Sequence, residues 1–160
     1  MKEYNIYISA CVAKQWELTV EEQELIKEAV NAAQSSYSPY SHFAVGAALK
    51  IDTGEIIKGS NQENASYPVG CCAERTALFW TGANRKGATI CEMAIVSING
   101  GQVTKDITAP CGMCRQALLE VEHRQNSPIR VLLCGKEDVY IFNQAADLLP
   151  LGFNAETLNV

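Results

Sequence analysis

Histidine is almost missing from this sequence: only His42 and His123 occur among 160 residues. Neither has a partner at a spacing of its own, so neither is expected to act as a ligand or a base. Long apolar runs are missing too. Nothing approaches the roughly 18 consecutive apolar residues that a membrane-spanning helix needs. The opening MKEYNIYISA has neither the basic start nor the unbroken apolar centre of a secretory signal, and a cytoplasmic protein is expected. Cationic stripes are also absent. Thirteen Lys and Arg stand against eighteen Asp and Glu, for a net charge of -5, which lacks the electrostatic footprint of a polynucleotide binder. A small-molecule partner is expected instead. With 48% hydrophobic and 19% charged residues, the chain falls in the ordinary globular class, and its length suits one fold-sized unit.

What the chain does have is cysteine, seven in all. In a chain without an export signal these are expected as thiols or metal ligands rather than as a disulfide framework.

The clearest helix begins at Thr19, an N-cap candidate with Glu22 placed to complete a capping box. Leu25, Ile26, Ala29, Val30 and Ala33 follow at helical spacing. SYSPYSH ends it, because Pro39 restricts the residue before it. FAVGAALKI and IIKGS, joined by the turn DTGE, read as a hairpin. CCAERTALFWTGA and TAPCGMCRQALLEVEHR read as two further helices. TICEMAIVSI, IRVLLCG and DVYIF complete the strands, and NQAADLLP reads as a brief helix. Helices alternating with strands imply an α/β fold, a three-layer α/β/α sandwich around a mixed, five-stranded sheet.

Two short motifs carry the chemistry. Cys111 and Cys114 have the C-x2-C spacing common in zinc sites, and Cys72 supplies a third sulfur from another helix start. Helix N-termini stabilise thiolates through unpaired amides and aligned dipoles. Three ligands leave a fourth position for water, whose pKa zinc lowers toward about 7. Glu74, two residues beyond Cys72, does not share that ligand's direction and suits proton transfer to and from such a water. Arg75 and Arg115 follow the ligands closely and suit donation to the sulfurs. Alternatives remain at this point: a structural zinc centre with Cys71 as fourth ligand, a redox pair, or ordinary buried cysteines. Taken alone, Asn61 and Glu63 read as exposed turn residues and Phe43 as a core anchor entering a strand.

Together CAER, PCGMCRQ, SHFAVGAAL and NQENASY resemble the zinc-dependent cytidine deaminases of nucleoside salvage, in particular their small, homotetrameric branch with an all-cysteine zinc site. The resemblance spans about residues 22 to 155. It implies that Cys72, Cys111 and Cys114 hold Zn2+ and that Glu74 shuttles protons while zinc-activated hydroxide attacks the amine-bearing carbon of the base. The products would be uridine or deoxyuridine and ammonia. It further implies that Asn61 and Glu63 bind the sugar 3'-hydroxyl, that Phe43 borders the base and that the backbone around Ala73 accepts the exocyclic amine. Arg75 would donate to the zinc-bound sulfurs. In the tail LLPLGF, Phe153 would cover the substrate of a neighbouring subunit.

Residues 19–160 then form the catalytic domain. Residues 1–18 form an extension without counterpart in short members, expected as an extra edge strand, an arm across a subunit boundary or simple packing. Cys71, Pro68 and Gly70 depart from the pattern and leave fine specificity open. A related deaminase for another aminopyrimidine nucleoside or a nucleoside antibiotic is the alternative activity, and a non-catalytic zinc-stabilised assembly protein the alternative class.

Overall fold

In the computed structural model, which describes residues 1–158, three α-helices flank one mixed sheet. The first helix, α1 (Val20–Ala33), starts where the sequence places its cap. The Thr19 hydroxyl accepts from the Glu22 amide at 3.2 Å, and the Glu22 carboxylate accepts from the Thr19 amide at 2.9 Å. Two otherwise orphaned amides are thereby satisfied.

The strands are β1 (Cys11–Lys14), β2 (Phe43–Ile51), β3 (Ile56–Ser60), β4 (Ile90–Asn99), β5 (Gln102–Val103), β6 (Arg130–Cys134) and β7 (Asp138–Phe142). Their order is β1-β7-β6-β4-β2-β3, with β5 on β4. The sheet therefore has seven strands, not the expected five. Those added are β1, four residues long, and β5, two residues long, too short to display an alternating run. β1 exists because it pairs antiparallel with β7, Cys11 opposite Ile141. Residues 1–10, ahead of it, are exposed and have no regular secondary structure. The segment NQAADLLP contains the brief helix expected of it, a 3-10 helix at Ala145–Leu148.

Alternation along the strands divides the core. Ala48, Ala94, Val96 and Leu132 face α1, with Leu25, Ile26 and Ala29. Leu49, Met93, Ile95 and Leu133 face the opposite layer, formed by α2 (Ala73–Asn84) and α3 (Gly112–Gln125). Each large aliphatic side chain fully buried there contributes about 1.5–3 kcal/mol. β4 and β6 run parallel, Met93 opposite Val131, and α3 lies between them in the chain, which is the βαβ arrangement.

Two glycines let the helices approach. A methyl at Gly46 would overlap the Ala29 carbonyl and lie 2.5 Å from the Ala33 amide nitrogen; at Gly59 it would overlap the Ala73 carbonyl and lie 2.6 Å from the Ala77 nitrogen. Separations this short are forbidden to a Cβ, so glycine is required at both. Gly59 thereby seats the first turn of α2 directly on β3.

Candidate active site

The first turns of α2 and α3 bring the thiols together. Cys72 is the N-cap residue of α2, Cys111 that of α3, and Cys114 lies in the first turn of α3. All three sulfurs lie within 4.8 Å of one another, with Cys72 to Cys111 at 3.7 Å and Cys111 to Cys114 at 3.5 Å. Zinc–sulfur bonds of about 2.3 Å in a tetrahedron place sulfurs about 3.8 Å apart, so the donor set fits that ion. Among the described residues Cys71 is not part of the cluster. Its backbone exchanges two hydrogen bonds with Gln62, at 2.8 and 2.9 Å, and it stands in a cavity wall. The closed four-cysteine centre therefore finds no support. His42 and His123 are exposed and outside the cluster.

The contact between Cys72 and Cys114 acts on the two thiols in opposite directions. A hydrogen bond with Cys114, followed by the Arg75 guanidinium, brings Cys72 down to about 5 against the effect of burial. The same contact, with burial and the nearby Glu74 and Cys72 charges, pushes Cys114 up. Arg75 Nη2 lies 3.8 Å from the Cys72 sulfur and 3.5 Å from the Gly70 carbonyl. Its Nε is buried without a hydrogen-bond partner among the described residues. One guanidinium offsets the negative charge that three thiolates carry beyond a divalent ion.

Glu74 is 3% exposed and meets the Cys114 thiol. Burial pushes its carboxyl above the usual range, and the Cys72 charge adds to this, while a backbone N–H bond opposes it. A buried carboxyl beside an incipient metal centre can carry protons without competition from bulk water.

Outside the thiols opens a cavity of about 470 Å3, lined by Tyr40, Asn61, Glu63, Tyr67, Cys72 and Met113 among others, a size suited to a small ligand. A second cavity of about 490 Å3, beside α1 and lined by Ile26, Val30 and Val96, contains none of the thiols. Asn61 accepts from the Val45 amide at 2.7 Å and the Ser36 hydroxyl at 2.5 Å, and donates to the Phe43 carbonyl at 2.9 Å. Glu63 accepts from the Tyr40 and Ser41 amides at 2.9 and 3.3 Å and from the Ser41 hydroxyl at 2.5 Å. These bonds hold its carboxyl below the usual range, the Ser41 hydroxyl foremost.

Cys72, Asn61, Glu63 and Arg75 thus border one cavity, with Ala73 and Glu74 buried behind its Cys72 wall. Phe43, half-buried at the start of β2, is not among the lining residues. Phe153 is also outside it and is 55% exposed. Its carbonyl accepts from Gln116 of α3 at 2.7 Å.

Sequence reasoning missed Ser41 and the tie between α3 and the tail. Arg115 donates to the Pro110 and Leu148 carbonyls at 2.8 and 2.9 Å. Buried Glu122 accepts from the amides of Ile129, Ala145 and Ala146 at 2.7, 2.9 and 2.7 Å. No local sequence signal marks these residues, because most of their partners are backbone groups remote in the chain.

Fold and site together define an α/β protein with a three-thiolate metal centre at two helix starts. Residues 19–127 match the family described as the cytidine and deoxycytidylate deaminase zinc-binding region. A cytidine deaminase of Halalkalibacterium halodurans is 40% identical over 149 residues, covering 88% of this chain and 99% of that protein. One from Sporosarcina psychrophila is 36% identical over 137 residues, covering 86% and 94%. The crystal structure of cytidine deaminase from Burkholderia pseudomallei superposes with a TM-score of 0.72 at 38% identity, covering 85% of this chain and all of that one. The chain belongs to this zinc-dependent deaminase family and has an all-cysteine metal-binding site.

Proposed function

We propose that the protein hydrolyses the amino group from cytidine, deoxycytidine or both, consuming one water and releasing uridine or deoxyuridine and ammonia. The observation that carries this reading is the convergence of Cys72, Cys111 and Cys114 beside buried Glu74. Cys72, Cys111 and Cys114 would hold Zn2+, with Arg75 offsetting their charge, and the bound ion would supply an acidified water, its pKa lowered toward about 7. Glu74 would take one proton from that water and deliver it to the ring nitrogen beside the reacting carbon. It would then take the second proton from the same oxygen and give it to the departing amine, so that the carbonyl forms as ammonia leaves. The backbone at Ala73 accepts from the exocyclic amine, and Phe43 borders the base.

Hydrogen-bond stoichiometry supports the sugar assignment. A carboxylate offers about four acceptor sites and an amide two N–H donors. Three bonds occupy Glu63 and one occupies the Asn61 amino group. One acceptor and one donor remain, the complement of a single hydroxyl, here the sugar 3'-hydroxyl. Phe153 of a neighbouring subunit completes the site in a homotetramer. Residues 19–160 form the catalytic domain, residues 1–18 an extension to it. No described helix is long and apolar enough to cross a membrane, and a cytoplasmic site of action agrees with nucleoside salvage.

A second reading, deamination of another aminopyrimidine nucleoside or a nucleoside antibiotic, draws on Gly70 and Cys71 in the cavity wall. A substrate panel separates the two. The primary test is uridine formation from cytidine by zinc-replete protein. Glu74→Gln should retain zinc and lose turnover by at least about 10²-fold; full activity in that variant overturns the mechanism.

A further inference from the structure

The loop between α1 and β2 meets the sugar side of the cavity through one hydroxyl. Ser41 Oγ donates to Glu63 Oε1 at 2.5 Å and accepts from the Phe43 amide at 3.1 Å. The Ser41 and Tyr40 amides engage the other carboxylate oxygen at 3.3 and 2.9 Å. Between Ser41 and Phe43, His42 adopts φ +57°, a left-handed conformation that costs a non-glycine residue energy unless its surroundings impose it. The imposing contacts are on both sides: the His42 amide donates to the Ser38 carbonyl at 3.0 Å, and the Asn61 amide grips Phe43 and Val45. Ser41 and Glu63 both border the cavity that reaches Cys72.

We propose that Ser41 is a positioning residue that sets selectivity for the sugar hydroxyl, by joining Glu63 to the start of β2 and, together with the Tyr40 amide, occupying all but one of its acceptor sites. The proposal rests on the cytidine reading above. Without the Ser41 hydroxyl, Oε1 has two open sites, the carboxylate loses its fixed rotation about its terminal bond, and Phe43 loses the partner of its amide. A water can then fill the second site, and a ligand lacking the hydroxyl is no longer heavily penalised. Among the described residues the hydrogen bonds of the Ser41 side chain go to Glu63 and Phe43 rather than to the three cysteines or Glu74, so the chemical step itself is left intact. The low pKa of Glu63, which its bond with Ser41 does most to maintain, provides an independent signature.

The test compares cytidine with 3'-deoxycytidine in wild type, Ser41→Ala, Ser41→Thr, Glu63→Gln and the Ser41→Ala/Glu63→Gln double variant. Wild type should lose about 10- to 100-fold in kcat/KM when the 3'-hydroxyl is removed, the range for a hydrogen bond to a charged group. Ser41→Ala should raise the KM for cytidine about tenfold with kcat little changed and should largely abolish the preference between the two substrates. The acidic limb of its kcat/KM profile should move to higher pH as the Glu63 carboxyl returns toward its ordinary range. Ser41→Thr, which keeps the hydroxyl, should restore wild-type values, and in the Glu63→Gln background Ser41→Ala should add nothing further. A fall in kcat at unchanged KM, or an equal Ser41→Ala loss with and without Glu63, overturns the role. A wild type that discriminates while Ser41→Ala discriminates equally overturns it alone. A wild type indifferent to the 3'-hydroxyl overturns the sugar assignment beneath it.

Discussion

At the scale of single residues, adjacent cysteines have different fates because the backbone changes character between them. Cys71 still belongs to the extended segment that exchanges hydrogen bonds with Gln62, whereas Cys72 caps α2 and brings its sulfur to 3.7 Å from that of Cys111. Arg75, one turn further along α2, supplies the cation beside that sulfur. Cys71→Ser should therefore leave one zinc per chain and an unchanged thiolate coordination signature. Cys114→Ser should lose stoichiometric metal, because it removes a sulfur from a set of three. Metal analysis after dialysis, with X-ray absorption of the bound ion, checks both. Loss of zinc from Cys71→Ser would revive the closed four-cysteine centre.

At the scale of elements, the site depends on where two helix starts are seated. Gly59 places the first turn of α2, and thus Cys72 and Glu74, against β3. Glu122 and Arg115 fix α3 to the segment that follows β7. Gly59→Ala should destabilise the protein by about 1–3 kcal/mol through overpacking and, by lifting the start of α2, speed zinc release to a chelator. Thermal unfolding together with the rate of chelator-driven metal loss measures both effects; unchanged metal release would separate the seating of α2 from the metal site.

Much at this scale is legible in the sequence. The Thr19/Glu22 capping box marks α1, and the C-x-E and C-x2-C spacings mark the starts of α2 and α3. β5 is not legible, and β1 is legible only as one of the alternatives open for residues 1–18, where it forms an edge strand, since strands this short are made by the neighbour they pair with rather than by their own pattern. The Ser41 and Glu122 contacts are hidden for a related reason: one polar side chain carries no periodicity, and its meaning comes from groups the fold brings to it. Taken alone, Asn61 and Glu63 read as turn residues for the same reason, because the cavity they share forms only when β3 and the loop before β2 meet.

At the scale of the whole molecule, several large apolar side chains remain uncovered in the single chain. Tyr67 and Met113 border the cavity while 75% and 63% exposed, and Leu151 and Phe153 in the tail are 81% and 55% exposed. Such exposure fits surfaces that another subunit covers. Phe153 is held through its backbone to Gln116 on α3, two residues beyond Cys114, yet does not line the cavity of its own chain. In the proposed oligomer it serves the neighbour's substrate, so each site draws Glu74 from one chain and Phe153 from another. This arrangement predicts complementation. Glu74→Gln should be nearly inactive, and Phe153→Ala should lose at least about tenfold in kcat/KM, as expected for removal of a buried aromatic contact. When the two variants are co-assembled, some sites pair intact Glu74 of one chain with intact Phe153 of the other, roughly a quarter for random partners. Uridine production should therefore exceed the sum of the separate variants and disappear on dilution below the assembly threshold. If Phe153 serves its own chain, every mixed site lacks one of the two residues and activity stays at that sum.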